Sequence, residues 1–216
     1  MPTPNTILLV CATLAALGQV EPAGRADTTD AGVQLRSGAV KELAAGKLLV
    51  AVRGLPDPNF AETVILLADH SGEGSMGLVL NRRTDVPLSR VFSDLKRGQA
   101  SSSALYSGGP VATDGVVALE RSQAATPDGR QVLADVRMVA SREALEALVA
   151  SGAGPDRFRV YVGYAGWGPG QLERETLHGS WHVFHAETAV VFDPDPETLW
   201  QRQVRRTEER MVLAFP

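Results

Sequence analysis

From residue 40 onward the chain alternates short apolar runs with turn signals, and the period of each run sets the element it predicts. Residues 48–52, 63–68, 76–81, 116–120, 132–139, 158–164, 181–185 and 189–192 are rich in β-branched, leucine and aromatic side chains. Gly, Pro or Asp bounds them, so each is predicted as a strand. His70-Ser71-Gly72-Glu73-Gly74 reads as a hairpin turn in which glycine supplies positive φ, and His185-Ala186-Glu187-Thr188 as a second hairpin. Helical spacing is rarer. Ser141 is placed to cap a helix through Ala150, with Leu145, Leu148 and Val149 on one face and Gly152 as the stop. Asp195-Pro196 opens another, with Leu199, Trp200 and Val204 facing inward. Residues 88–95 form a short amphipathic helix, and residues 169–177 a further one directly after a glycine loop. Many short strands without regular strand–helix alternation predict an α+β fold with a mixed or antiparallel sheet.

The ends of the chain read differently. Residues 7–17 are apolar and uncharged, too short to span a membrane, and Gly24-Arg25-Ala26 follows before Asp27. That layout makes residues 1–26 a candidate signal peptide, although the first six residues carry no Lys or Arg. Export to the periplasm or medium follows if it is cleaved. An N-terminal extension on a protein that stays in the cell is the alternative. Residues 27–39 are polar and read as a flexible segment, and residues 40–216 as one domain. Cys11 is the only cysteine, which excludes an internal disulfide and any cysteine-cluster metal site. With 21 Lys+Arg against 25 Asp+Glu the net charge is −4, which disfavours binding to nucleic acid through overall charge. No helix-turn-helix pattern or basic recognition helix is present, so direct nucleic-acid binding is not expected.

The most distinctive segment runs from Val162 to Glu173 and contains Gly163, Gly166, Gly168 and Gly170 around Trp167. Neither GxxxxGK[ST] nor GxGxxG occurs in it, so it is not a nucleotide-binding loop. Two readings stand: a loop that lets backbone approach a ligand, or a tight strand-to-helix corner packed under Trp167. Tyr106-Ser107-Gly108-Gly109-Pro110-Val111 reads as a plain turn, since Ser107 lacks a nucleophile motif and a placed base. His178, His182 and His185 have a spacing that diverges on a strand, so no metal site is expected. His70 beside Asp69 reads as a turn residue. Glu173 and Glu175, two apart on a helix, do not face each other as an acid/base pair. No catalytic residue can be named, and no cofactor is implied.

These motifs together resemble the YqgE/AlgH family. The resemblance rests on Leu55-Pro56-Asp57-Pro58-Asn59-Phe60, Val64 to His70, Gly74-Ser75-Met76-Gly77-Leu78-Val79-Leu80-Asn81, Gly108-Gly109-Pro110-Val111 and the Gly163 to Glu173 block. It implies an α+β fold with a small barrel-like core flanked by helices, a cytosolic location, and a regulatory association without an established activity. The chain departs from the family pattern at Glu62, at Arg82-Arg83, at Asp114-Gly115-Val116 and at Glu120.

The expected function is therefore a ligand- or partner-binding regulatory module whose partner is a small molecule or a protein. A transcriptional regulator by family association, or an enzyme of unreadable chemistry, is the alternative. The expected binding site is one surface cleft formed by Asn81, Gly108, Gly109, Pro110, Gly166, Trp167, Gly168 and Gln171. Its rival is a Trp167 that belongs to the core, with glycines that only permit its packing.

Overall fold

The computed structural model of the chain describes residues 40, 42–92, 103–123 and 129–214, with side chains to residue 208. The candidate signal peptide, the segment 27–39 and the predicted helical residues 93–95 lie outside the described residues. Strands β1 (Lys47–Ala51), β2 (Val64–Ser71), β3 (Gly74–Val79), β9 (Phe158–Trp167), β6 (Val111–Arg121), β8 (Val136–Val139) and β7 (Gly129–Leu133) follow one another across the sheet, with β10 (Trp181–His185) outside β1. β4 (Arg83–Pro87) and β5 (Ala104–Ser107) attach as a side ribbon, β5 lying parallel to β9. The other described pairings are antiparallel, and the sheet curls into a half-barrel. Its ends approach where Arg130 pairs with Asp69 and where Gly46 packs against the Val132 carbonyl.

Burial on both faces of β9 explains the curl. Tyr161, Ala165 and Trp167 point into the main core with Leu48, Ile65, Leu66 and Leu80. Phe158, Val160 and Val162 face a smaller cluster with Leu105 and with Leu145 and Val149 of helix α1 (Arg142–Ala150). Ser141 Oγ accepts from Ala144 N, and Gly152 has a φ of 69°, so cap and stop stand where the sequence placed them. α2 (Gln171–Leu177) and α3 (Thr188–Val191) are short, and α4 (Leu199–Ala214) covers β1 and β2 with Leu199, Trp200 and Val204 buried. The class is α+β with modest helix content. No helix among the described residues is long and apolar enough to cross a membrane.

Three local expectations are corrected. Residues 132–139 are not one strand but parts of two, because the chain turns at Ala134-Asp135; Gln131 Nε2 donates to the Leu133 and Ala134 carbonyls and holds that turn. Residues 189–192, β-branched and apolar, are not a strand: Thr188–Val191 is helical, so His185–Thr188 is a strand-to-helix corner rather than a hairpin. Packing overrides propensity there, since Val191 and Phe192 are buried in the core and the Thr188 hydroxyl donates to Asp135. The amphipathic segment at 88–95 begins with a single 3-10 turn, Leu88–Arg90, that buries Leu88. Strands β4 and β5 lacked a sequence signal, because β4 (RTDVP) is mostly polar and β5 is only four residues long.

Candidate binding site

The glycine–tryptophan segment forms the corner between β9 and α2. Gly170 has a φ of 68°, a left-handed conformation that glycine adopts without a Cβ clash, and it turns the chain into the helix. Gln171 Oε1 accepts from Gly168 N at 3.1 Å, and its Nε2 donates to Glu175 Oε1 at 2.9 Å. Glu175 Oε2 in turn accepts from both indoles, Trp167 Nε1 at 2.9 Å and Trp181 Nε1 at 2.8 Å. Phe60 stacks on Trp167 with centroids 5.8 Å apart, and Trp181 stands edge-on to both rings. Gly77 makes room for this cluster: a Cβ there would lie 2.6 Å from Ile65 Cγ2 and 3.5 Å from Trp167 Cζ3.

One carboxylate therefore receives three N–H donors. Substituting Glu175→Gln changes few atoms but turns one oxygen into a donor facing a donor, whichever way the amide is oriented. The expected loss is about 1–3 kcal/mol of stability, read as a lower urea midpoint together with altered tryptophan emission. An unchanged midpoint would mean that the indoles do not depend on the carboxylate.

The second glycine turn lies across the same strand. Gly108 N donates to Val162 O at 2.8 Å, and Gly108 O accepts from Val79 N at 2.9 Å, so the turn bridges β3 and β9. Val111 pairs with Tyr164, and Met76 pairs with Gly166. Directly paired residues share a face, and a Cβ on Gly166 would lie 3.2 Å from Tyr164 Cε2 and 3.5 Å from Val111 Cγ2. The Tyr164 ring thus lies over Gly166, and the half-buried Met76, Tyr164 and Val111 form an apolar patch beside the Gly108–Gly109–Pro110 turn.

Gly108, Gly109, Pro110 and Gly166 are thus brought together. Trp167 points to the opposite face and is core, only 4% exposed. Gly168 and Gln171 are exposed at the corner beyond it, the Gln171 amide already engaged. Asn81 stands beside the Gly108 turn, between Val79, whose N–H donates to Gly108 O, and Arg82, whose carbonyl accepts from Ser107 N. Its side chain is engaged elsewhere, accepting from Val64 N and donating to Glu62 O, and it lies five residues from Met76, about 16 Å along an extended chain.

The remaining candidates have local roles. Asp69 pairs with Arg130 rather than with His70. His70 Nδ1 lies 2.8 Å from Ser75 Oγ, its cross-strand partner, and Nε2 is 3.8 Å from Glu173 Oε1, beyond hydrogen-bonding distance. His178 Nδ1 lies 2.7 Å from the Arg174 carbonyl. Burial lowers the pKa of His182, against a smaller opposing pull from Glu208. Among the described residues no group of three or more His, Cys, Asp or Glu is placed to hold a metal ion. Reading the sequence did not identify Phe60 and Trp181 as partners of Trp167. The signal available was Trp181 six residues after Glu175, separated by the Gly179-Ser180 turn.

Comparison with known proteins agrees with the fold. A family model described as AlgH-like matches residues 48–212. A UPF0301 protein of Streptomyces avermitilis is 40% identical over 181 residues, covering 79% of this chain and 91% of its own length. A UPF0301 protein of Hahella chejuensis is 39% identical over 153 residues, covering 70% and 82%. The solution structure of the AlgH protein from Pseudomonas aeruginosa superposes with a TM-score of 0.64 at 34% identity, over 76% of this chain and 88% of that one. A crystal structure of a protein from Corynebacterium diphtheriae gives 0.64 at 29% identity, over 76% and 87%.

Proposed function

This chain belongs to the AlgH-like family, in which no specific biochemical activity is established, and on that premise we propose that it is a ligand- or partner-binding regulatory module. Its binding surface is the apolar patch around Gly166, with the Gly108–Gly109–Pro110 turn at one edge and the exposed corner at Gly168 and Gln171 beyond it. The observation that carries this reading is the patch itself: three half-buried apolar side chains, Met76, Tyr164 and Val111, around a glycine that lets the Tyr164 ring lie close to the strand. Behind it the sheet is fixed by the Trp167–Glu175–Trp181 cluster, so little order is lost on binding there. Turn residues Gly109 and Pro110 supply a rigid rim.

A fragment library screened by amide-resolved NMR tests the reading. Shift changes are expected to cluster at Met76, Val111, Tyr164 and Gly166, and Met76→Glu is expected to abolish them without altering the fold. Hits that scatter over the surface, or that persist unchanged in Met76→Glu, would remove the patch as the site. Gln171→Ala separates rim from scaffold. Because Gly168 N–H can turn to water, the expected loss is only about 1 kcal/mol, and binding at the patch should survive.

A further inference from the structure

The ends of three strands meet on another part of the molecule. Arg121 closes β6, Asp135 sits in the turn before β8, and Arg157 stands immediately before β9. Backbone bonds fix their spacing: Arg121 N donates to Arg157 O at 2.7 Å and Ser122 N to Asp135 O at 3.0 Å. Arg121, Ser122, Gln123, Asp135 and Arg157 line a surface hollow of about 360 Å³. That volume lies at the small end of ligand-binding sites.

The charges in the hollow are unequal. Asp135 Oδ2 lies 3.4 Å from Arg121 Nε, while Asp135 Oδ1 accepts the Thr188 hydroxyl, so this carboxylate is engaged on both oxygens. Arg157 makes no ion pair or side-chain hydrogen bond among the described residues. Two guanidinium groups against one carboxylate leave a net single positive charge, with the Arg157 fork and the outer nitrogens of Arg121 available.

We infer that this hollow is a binding site for a small molecule carrying one compact acid group, a phosphate monoester or a carboxylate, gripped between Arg157 and Arg121. Guanidinium forks match the paired oxygens of either group. The Asp135 charge selects against long polyanions, because a second acid group would meet the carboxylate instead of a third cation. The site is separate from the apolar patch around Gly166 and does not depend on it.

The experiment uses the full chain. Inorganic phosphate, glycerol 3-phosphate and acetate are titrated at constant ionic strength set with sodium chloride, with binding read by isothermal calorimetry and by NMR shifts at Arg121, Ser122 and Arg157. Saturable binding is expected for at least one probe. The phosphate and acetate arms identify which acid group is preferred. Arg157→Gln is expected to weaken binding by about tenfold or more, with the unliganded Tm unchanged because the Arg157 backbone contacts remain. Arg121→Gln provides an independent reading from the opposite wall. A wild type that never saturates, or Arg157→Gln and Arg121→Gln proteins that bind as well as wild type, would overturn the site. Equal or tighter binding of inorganic triphosphate would overturn the selectivity argument.

Discussion

Gly109→Ala is expected to leave little folded protein. Gly109 has a φ of 151°, and a Cβ built there would fall inside the van der Waals envelope of the Tyr164 carbonyl and the Ala165 nitrogen. Those neighbours are backbone atoms of a strand hydrogen-bonded on both sides, to β3 and to β6, so they cannot move aside as a side-chain tip would. Overpacking of this kind costs about 1–3 kcal/mol where side chains can yield and more where they cannot. The expected loss is therefore above about 3 kcal/mol, a large fraction of a typical domain's stability. Gly72→Ala is the control: nothing lies within 4 Å of its Cβ position, and a change within about 0.5 kcal/mol is expected. Urea midpoints and soluble yield check both. A Gly109→Ala protein with the wild-type midpoint would show that the turn does not cross β9 as closely as described.

Arg159→Met is expected to cost nearly as much, through unmet hydrogen bonds rather than volume. Arg159 is 3% exposed on β9, and its guanidinium donates to the carbonyls of Pro155, Val191 and Asp193. It also lies 5.0 Å over the Tyr106 ring and 5.9 Å from the Phe192 ring centroid. The Asp193 carboxylate is served separately by Arg202 at 2.9 and 2.8 Å, so the two arginines are not redundant. Removing the guanidinium strands three carbonyls, each costing about 1–3 kcal/mol when left without a donor. A loss of at least about 3 kcal/mol is expected for Met in chemical denaturation, and a smaller one for Lys, which keeps the charge without the planar fork. Arg159→Met with wild-type stability would assign those carbonyls other donors.

The buried Tyr161 beside Arg159 sets an alkaline limit. Burial raises the Tyr161 pKa, and the neighbouring Arg159 charge lowers it by less. The folded state thus prefers the neutral phenol. The associated stability is complete below the unfolded tyrosine pKa of about 10 and falls as pH rises beyond it. Spectrophotometric titration should show one tyrosine that ionises only as the protein unfolds.

Legibility of the fold followed the range of the forces involved. The Ser141 cap, the Gly152 stop and the Gly72 hairpin are decided by neighbours in sequence, and each was readable. At 189–192 a distant tie, Asp135 to Thr188, accompanies the helical conformation, whereas at 132–139 the deciding contact is local, Gln131 to the Leu133 and Ala134 carbonyls, in a turn that lacks glycine and proline. The site was legible only in part. Glycines flag close backbone approach wherever it occurs, so Gly108, Gly109 and Gly166 were found together. Asn81 stands beside the same turn, but a sequence does not say that its amide is taken up by the Val64 N–H and the Glu62 carbonyl.

Family, α+β class and the residues able to turn sharply were thus determined by the sequence alone, since motif order and residue size are carried in the chain itself. Whether Trp167 faces a ligand or the core was not. Strand alternation assigns Tyr164 and Gly166 to one face and Trp167 to the other, but only the pairing of β9 with β3 and β6 shows which face is buried. Burial depends on what packs from elsewhere in the chain: Phe60, Trp181 and Glu175 close over the indole, while Gly166, under the Tyr164 ring and Val111, is only half-buried.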